Sequence, residues 1–316
     1  MKNNPSIEKV AVIGSGIMGS RIACHMANIG LDVLLLDIAP FKLNKAEEKA
    51  GLTLEHPKVK NRIVQDALKA TLKSKPASLY RKDFINRIET GNLTDDFKKI
   101  SGADWIIEVV VERLDIKKQV FEKVEQFRKP ESIISSNTSG IPIHMMLEDR
   151  SDNFKTNFLG THFFNPPRHL ELLEIIPTPH TNPKLVEFLM EFGDRHLGKT
   201  TVLCKDTPAF IANRVGVGGI LSLFHLVEKR GLSVEAIDKL TGPIIGRPKS
   251  ATFRTCDVVG LDTLVHVANG LYENCKNDEA RSSFKLPSYV EKLFENKWLG
   301  DKTKQGFYKK TKDEKG

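Results

Sequence analysis

Four cysteines in 316 residues (Cys24, Cys204, Cys256 and Cys275) are too scattered for a disulfide framework, and they form neither a CxxC pair nor any other metal-ligand spacing. They read as buried thiols of a reducing cytoplasm, with no metal expected. Long apolar runs are also missing. None approaches the roughly 20 residues that cross a bilayer, so no membrane span is expected. The opening MKNNPSIEKV has no apolar targeting core, which argues against an export signal. Internal repeats and low-complexity tracts are absent too. What remains is a globular composition, 40% hydrophobic and 28% charged, which suits a sizeable core and argues against extensive disorder. The length suggests about two domains at roughly 150 residues each.

The formal charge of +8 is unevenly spread, because residues 41–90 hold twelve Lys/Arg against six Asp/Glu. Such a local excess can be a solvated helix face, a nucleic-acid surface or a seat for a small phosphorylated ligand. Within it, Lys69 and Lys73 are four apart on a helical pattern and so share a face.

A short β-run, KVAVI, enters Gly14-Ser15-Gly16-Ile17-Met18-Gly19, a GxGxxG turn that opens a helix-like segment over residues 20–28. A second β-run over residues 32–36 ends at Asp37. Glycine turns are common, but a strand before, a helix after and an acid about 20 residues on define a dinucleotide fingerprint. The helix start faces the phosphates. Asp37 in that position accepts from ribose hydroxyls and repels a 2′-phosphate, which favours NAD over NADP.

Further β-runs follow at residues 105–111 (WIIEVVV) and 132–135, the first leading through Glu112 into a helix and the second ending in Ser136-Asn137-Thr138-Ser139-Gly140. That polar stretch is either a loop presenting donors to a ligand or a turn with a helix cap before Pro142. Strands alternating with helices predict an α/β fold with a doubly wound, mostly parallel sheet. Its ligands lie outside the carboxyl ends of the strands. Asp37, Glu112, Ser139 and His162 each follow or end a β-run, so they should converge there.

The stretch THFFNPPRHLELLEIIP, residues 161–177, holds His162, Asn165, Glu171 and Glu174. A histidine with a carboxylate on its far nitrogen can move a proton near neutral pH. A histidine beside aromatics can equally be core filling. From residue 205 the pattern is helical almost to the end, which predicts a Rossmann-type domain over 1–204 and an all-α domain over 205–316. The tail from residue 301 reads as polar and partly mobile, with Phe307 and Tyr308 as an anchor.

Seven stretches in order (VAVIGSGIMGSRIA, WIIEVVVERLDIKK, SSNTSG, GTHFFNPP with LLEIIP, KDTPAFIANR, DVVGLDT and KTKQGFY) resemble the 3-hydroxyacyl-CoA dehydrogenases of fatty-acid β-oxidation. TGPIIGRPKSATFRTCDVVGLD is similar to the dehydrogenase part of long fused enzymes that continue into an enoyl-CoA hydratase. The resemblance implies NAD-dependent oxidation of (S)-3-hydroxyacyl-CoA. It makes His162 the general base, Glu174 rather than Glu171 its orienting carboxylate, and Ser139, Asn213 and Asn165 the residues that hold the acyl group and organise the site. Gly14, Gly16, Ile17, Met18, Gly19 and Asp37 match the cofactor fingerprint, and Glu112, Lys117 and Lys302 match further cofactor contacts. The segment around Lys69 and Lys73 corresponds to the region that lies along coenzyme A. A homodimer through the helical domain and an acyl-CoA partner are expected, with no nucleic acid. Lys304 and Gly140 depart from the usual pattern, at a glycine and at a Ser or Thr respectively. Two alternatives stand beside this reading: a β-hydroxyacid or 6-phosphogluconate type dehydrogenase, which uses a lysine base, and a non-catalytic NAD-binding module.

Overall fold

The chain is described here by a computed structural model covering residues 6–311; residues 1–5 of the opening segment and 312–316 of the polar tail lie outside the described residues. It divides into two compact units, Met1–Asp206 and Thr207–Gly316.

The first unit alternates strand and helix. In order it contains β1 (Lys9–Ile13), α1 (Ile17–Asn28), β2 (Asp32–Asp37), α2 (Lys45–Lys49), α3 (Pro57–Lys60), α4 (Arg62–Leu72), β3 (Ile88–Asn92) and β4 (Trp105–Glu108). Then come α5 (Leu114–Phe127), β5 (Ile133–Ser136), α6 (Asp152–Thr156), β6 (Phe158–Phe163), β7 (Leu172–Pro177), α7 (Pro183–Arg195) and β8 (Thr200–Leu203). The eight strands form one sheet in the order β3-β2-β1-β4-β5-β6-β7-β8. Neighbours are parallel except β6 and β7, which run antiparallel. The expected doubly wound, mostly parallel sheet is therefore present.

Local chemistry accounts for these elements. β4, β5 and β6 are buried along their whole length, as central parallel strands covered on both faces must be. α4 buries Val64, Leu68 and Thr71, one helical stripe, against that core. α7 starts at Asn182, whose side chain accepts from the Lys184 N–H, with Pro183 in the first helical position. β4 is shorter than the WIIEVVV run predicts. It ends at Glu108 because the Glu108 carboxylate takes the Val110 N–H at 2.7 Å and turns the chain out of the ladder.

Between β1 and β4 the strand order reverses, and the two chains leave the sheet in contact. Gly14 has φ +104°, and a Cβ there would sit 2.5 Å from the Val109 carbonyl oxygen. Gly19 packs on the same turn, where a Cβ would fall 1.8 Å from the Gly14 carbonyl oxygen. Both positions exclude any side chain, which brings α1 down onto the strand ends.

The second unit carries α8 (Ala212–Arg230), α9 (Val234–Thr241), α10 (Phe253–Val259), α11 (Leu261–Asn274) and α12 (Ser288–Glu295). Every regular element among its described residues is helical. Phe224, Phe253 and Phe307 form its aromatic centre, with ring centroids 4.8 to 5.2 Å apart. Phe307 and Tyr308 donate their backbone N–H groups to the two oxygens of Asp257 at 2.9 Å, so this part of the tail is anchored. Among the described residues no helix is long and apolar enough to cross a membrane.

Candidate active site

The carboxyl end of the sheet gathers three groups of side chains. The first comes from the β6/β7 hairpin. His162 and Glu174 are twelve residues apart in sequence but direct partners in the antiparallel register. Residues so opposed share a face and stand about 5 Å apart at Cβ. Here His162 Nδ1 lies 2.7 Å from Glu174 Oε2, with the residues 5% and 1% exposed. Glu171 precedes β7 and is exposed, so the register selects Glu174. A carboxylate only accepts, so Nδ1 carries the proton it donates, and the neutral ring has its lone pair on Nε2. Phe164 packs on the imidazole, with ring centroids 4.3 Å apart.

The second group hangs from β4 and β5. Glu112 Oε1 accepts from Thr138 Oγ1 at 2.5 Å, Ser139 N at 3.0 Å and Gly140 N at 3.1 Å, so one carboxylate shapes the whole SNTSG loop. Lys117, 1% exposed, stands behind it. Its ammonium donates to both oxygens of Glu108 at 2.8 and 3.0 Å and lies 3.3 Å from Glu112 Oε2. These three contacts match the three N–H donors of a lysine, so Lys117 acts here as a strut between carboxylates. Burial raises the Glu108 carboxyl above its ordinary range despite Lys117 and the Ser136 hydroxyl, which donates to it at 2.6 Å. Burial pushes the same way at Glu112, but Lys117, Thr138 and Ser139 outweigh it and hold that carboxyl below its usual range.

The third group is the glycine turn. Asp37 Oδ2 accepts from the Ser15 N–H at 2.6 Å and its hydroxyl at 2.5 Å, which ties the turn to the end of β2. α1 begins at Gly16 without a side-chain cap, and a Cβ at Gly16 would meet nothing within 4 Å. Uncapped N–H groups facing open space are the donor set that a dinucleotide diphosphate needs. The turn therefore fits the cofactor its sequence implies. A cavity of about 340 Å³ lies alongside, lined by Ser15, Gly16, Ile17 and Arg21 on one side and by Ala67, Ala70, Thr71 and Ser74 on the other.

The remaining expected residues are spread more widely. Asn165 lies three residues beyond His162, and its Oδ1 accepts from Arg21 Nη1. Lys69 and Lys73 sit on α4 and its C-cap, but at 100° per residue Lys69 faces away from the cavity wall and Lys73 only flanks its Ala70 edge, and Lys69 pairs with Asp66 at 4.0 Å. Asn213 and Lys302 belong to the second unit, Asn213 in the first turn of α8 and Lys302 paired with Asp262. Glu108 and Arg21 were not expected from the sequence. A carboxylate inside the apolar run WIIEVVV is the signal that points to Glu108, since a buried charge needs a partner.

Comparison with known proteins gives consistent matches along the chain. Residues 9–207 match the family model for the 3-hydroxyacyl-CoA dehydrogenase NAD binding domain, and residues 210–310 match that for the C-terminal domain. A probable 3-hydroxyacyl-CoA dehydrogenase of Bacillus subtilis is 54% identical over 304 residues, covering 96% of this chain and 38% of its own length. One from Deinococcus radiodurans is 45% identical over 309 residues, covering 98% of this chain and 84% of its own length. The crystal structure of an (S)-3-hydroxybutyryl-CoA dehydrogenase from Ralstonia eutropha superposes with a TM-score of 0.75 at 26% identity, covering 97% of this chain and all of that one.

Proposed function

The chain belongs to the 3-hydroxyacyl-CoA dehydrogenase family, and we propose that it oxidises (S)-3-hydroxyacyl-CoA to 3-oxoacyl-CoA with NAD, as a step of fatty-acid β-oxidation. One observation carries the reading: His162 and Glu174 form a buried pair in β-register, 2.7 Å apart, at the same sheet end as the open glycine turn. Nε2 of His162 takes the proton of the substrate 3-hydroxyl as the C3–H bond breaks. Glu174 keeps the ring in the accepting tautomer and stabilises the imidazolium that forms. NAD, when bound, supplies the acceptor for the hydride that leaves C3. The proton on His162 then passes to solvent, which balances the two-electron oxidation. Ser139 and Asn165 hydrogen-bond and align the acyl group, and Glu112 fixes the Ser139 loop through three donors. Asp37 and the glycine turn hold the adenosine side of the cofactor, and the carboxylate disfavours the 2′-phosphate of NADP.

The oligomer we propose is a homodimer through the helical unit. Val215, Ile244, Ile245, Val258 and Val259 of that unit are 55% to 75% exposed, apolar surface that a second copy would cover. The four buried cysteines support a cytoplasmic setting. Reduction of acetoacetyl-CoA followed at the NADH absorbance tests the activity. The expected result is robust turnover with NADH and little with NADPH. Absence of turnover with acetoacetyl-CoA and with longer 3-oxoacyl-CoA substrates would overturn the proposal.

A further inference from the structure

Half of the fourteen arginines of this chain have no carboxylate partner among the described residues, and Arg21 is one of them. Arg62, Arg81, Arg113, Arg150, Arg195, Arg214 and Arg254 each pair with a carboxylate. Arg21 forms no ion pair among the described residues, and its guanidinium makes one hydrogen bond, from Nη1 to Asn165 Oδ1. The fork has five N–H donors, so most of its capacity is directed elsewhere. Arg21 lines the cavity of about 340 Å³ between the Gly16 turn and α4.

The walls of that cavity say what would fill it. Ala67, Ala70 and Ile17 offer small or apolar surface, and Thr71 and Ser74 offer hydroxyls. Among the described residues no lysine lines it; Lys69 faces away from it, and Lys73 flanks its Ala70 edge. Away from the Ser15-Gly16 turn, which is left to the cofactor, the α4 side suits a neutral, flexible chain with amide groups better than a cluster of phosphates. Distance argues the same way. Asn165 follows His162 by three residues, a span of at most about 11 Å. In an acyl-CoA the two amides of the pantetheine arm come before any phosphate as one moves away from the reacting thioester.

Building on the activity proposed above, we propose that Arg21 is a substrate-binding residue that donates to an amide carbonyl of the pantetheine arm of acyl-CoA. Its hydrogen bond to Asn165 connects that contact to the loop that follows His162. Arg21 thus favours thioesters that carry an amide-bearing arm over those that do not.

The test compares Arg21→Met with the wild type on three thioesters: acetoacetyl-CoA, acetoacetyl-pantetheine and S-ethyl acetothioacetate. A charge-assisted hydrogen bond is worth enough that its loss lowers kcat/KM about tenfold or more. That loss is expected on the first two substrates and not on the third, which has no amide, while the KM for NADH stays constant. Loss on acetoacetyl-CoA alone would assign Arg21 to a phosphate of coenzyme A. Equal loss on all three would reduce it to a support for Asn165, and a raised KM for NADH would move it to the dinucleotide. Any of these overturns the proposal. Calorimetric titration with free coenzyme A runs alongside, with about tenfold weaker binding expected for Arg21→Met. Wild-type protein that turns over no thioester would remove the activity reading, and the titration would still decide the role of Arg21.

Discussion

His25 and His162 are both buried in the first unit, 2% and 5% exposed, yet their rings meet opposite surroundings. His25, in the last turn of α1, places Nε2 at 3.1 Å from the Leu197 carbonyl, and its Nδ1 has no partner among the described residues. Burial, joined by the nearby charges of Lys199 and Arg168, pushes its pKa down to about 4. His162 has Glu174 on Nδ1 instead. The same side chain at similar depth is held by a backbone carbonyl in one place and by a carboxylate in the other. The element that differs is a carboxylate in register. A buried histidine acquires chemistry from its neighbours, and burial alone only removes its charge.

The most direct way to break this contrast is His162→Ala. A general base contributes roughly 10²- to 10⁴-fold, and kcat for 3-hydroxybutyryl-CoA oxidation should fall toward the upper end of that range. His25→Phe should leave kcat within a factor of about two, since nothing connects His25 to the reacting centre. If the two variants lost activity equally, the contrast would be a reading of packing and not of function.

Next in size is Lys117→Met, which extends the rule from histidines to carboxylates. It leaves Glu108 buried beside Glu112 without the cation between them. Removing one partner of a buried pair costs about 3 to 5 kcal/mol, to be read from the urea midpoint. The double variant Glu108→Leu with Lys117→Met should recover part of that stability, because it removes the stranded charge as well. A single variant as stable as the wild type would show that Lys117 is not the strut its contacts describe.

The smallest effect concerns His25 and acid. Its folded-state pKa of about 4 lies below the ordinary 6.5, so between those values the unfolded chain binds a proton that the folded chain refuses. Stability therefore falls as pH drops from about 6.5 to about 4, by roughly 3 kcal/mol, and is untouched above that window. His25→Phe should remove that part of the slope in a series of denaturant titrations. An unchanged slope would mean that His25 stays protonated inside the fold.

Much of the architecture was legible in the chain because local signals agreed. The β1 run, the glycine turn, α1 and the acid ending β2 each point to the same βαβ unit, and the structure has them where the motif requires. The helical second unit was readable from its long 3.6-residue patterns. Other features depended on information that spacing does not carry. The choice of Glu174 over Glu171 rested on resemblance, since nothing local says that β7 runs antiparallel to β6 and sets residue 174 opposite residue 162. The end of β4 was placed three residues late, because WIIEVVV reads as one apolar strand until the Glu108 carboxylate is seen to take the Val110 N–H. Lys69 and Lys73 show a third case. Their spacing fixed that they share a face of α4, but not that this face turns Lys69 away from the cavity and leaves Lys73 at its edge.

The account depends most on Glu174 acting through His162. With glutamine at 174 an amide can donate to Nδ1 and move the ring proton to Nε2, so the ring no longer accepts there. The measurement is the pH profile of kcat for 3-hydroxybutyryl-CoA oxidation in the wild type and in Glu174→Gln, with folding monitored by thermal melting. The predicted result is a fall in kcat of about 10²-fold or more across the profile, with KM values for both substrates little changed. A Glu174→Gln enzyme that keeps the wild-type kcat and profile would contradict the central claim.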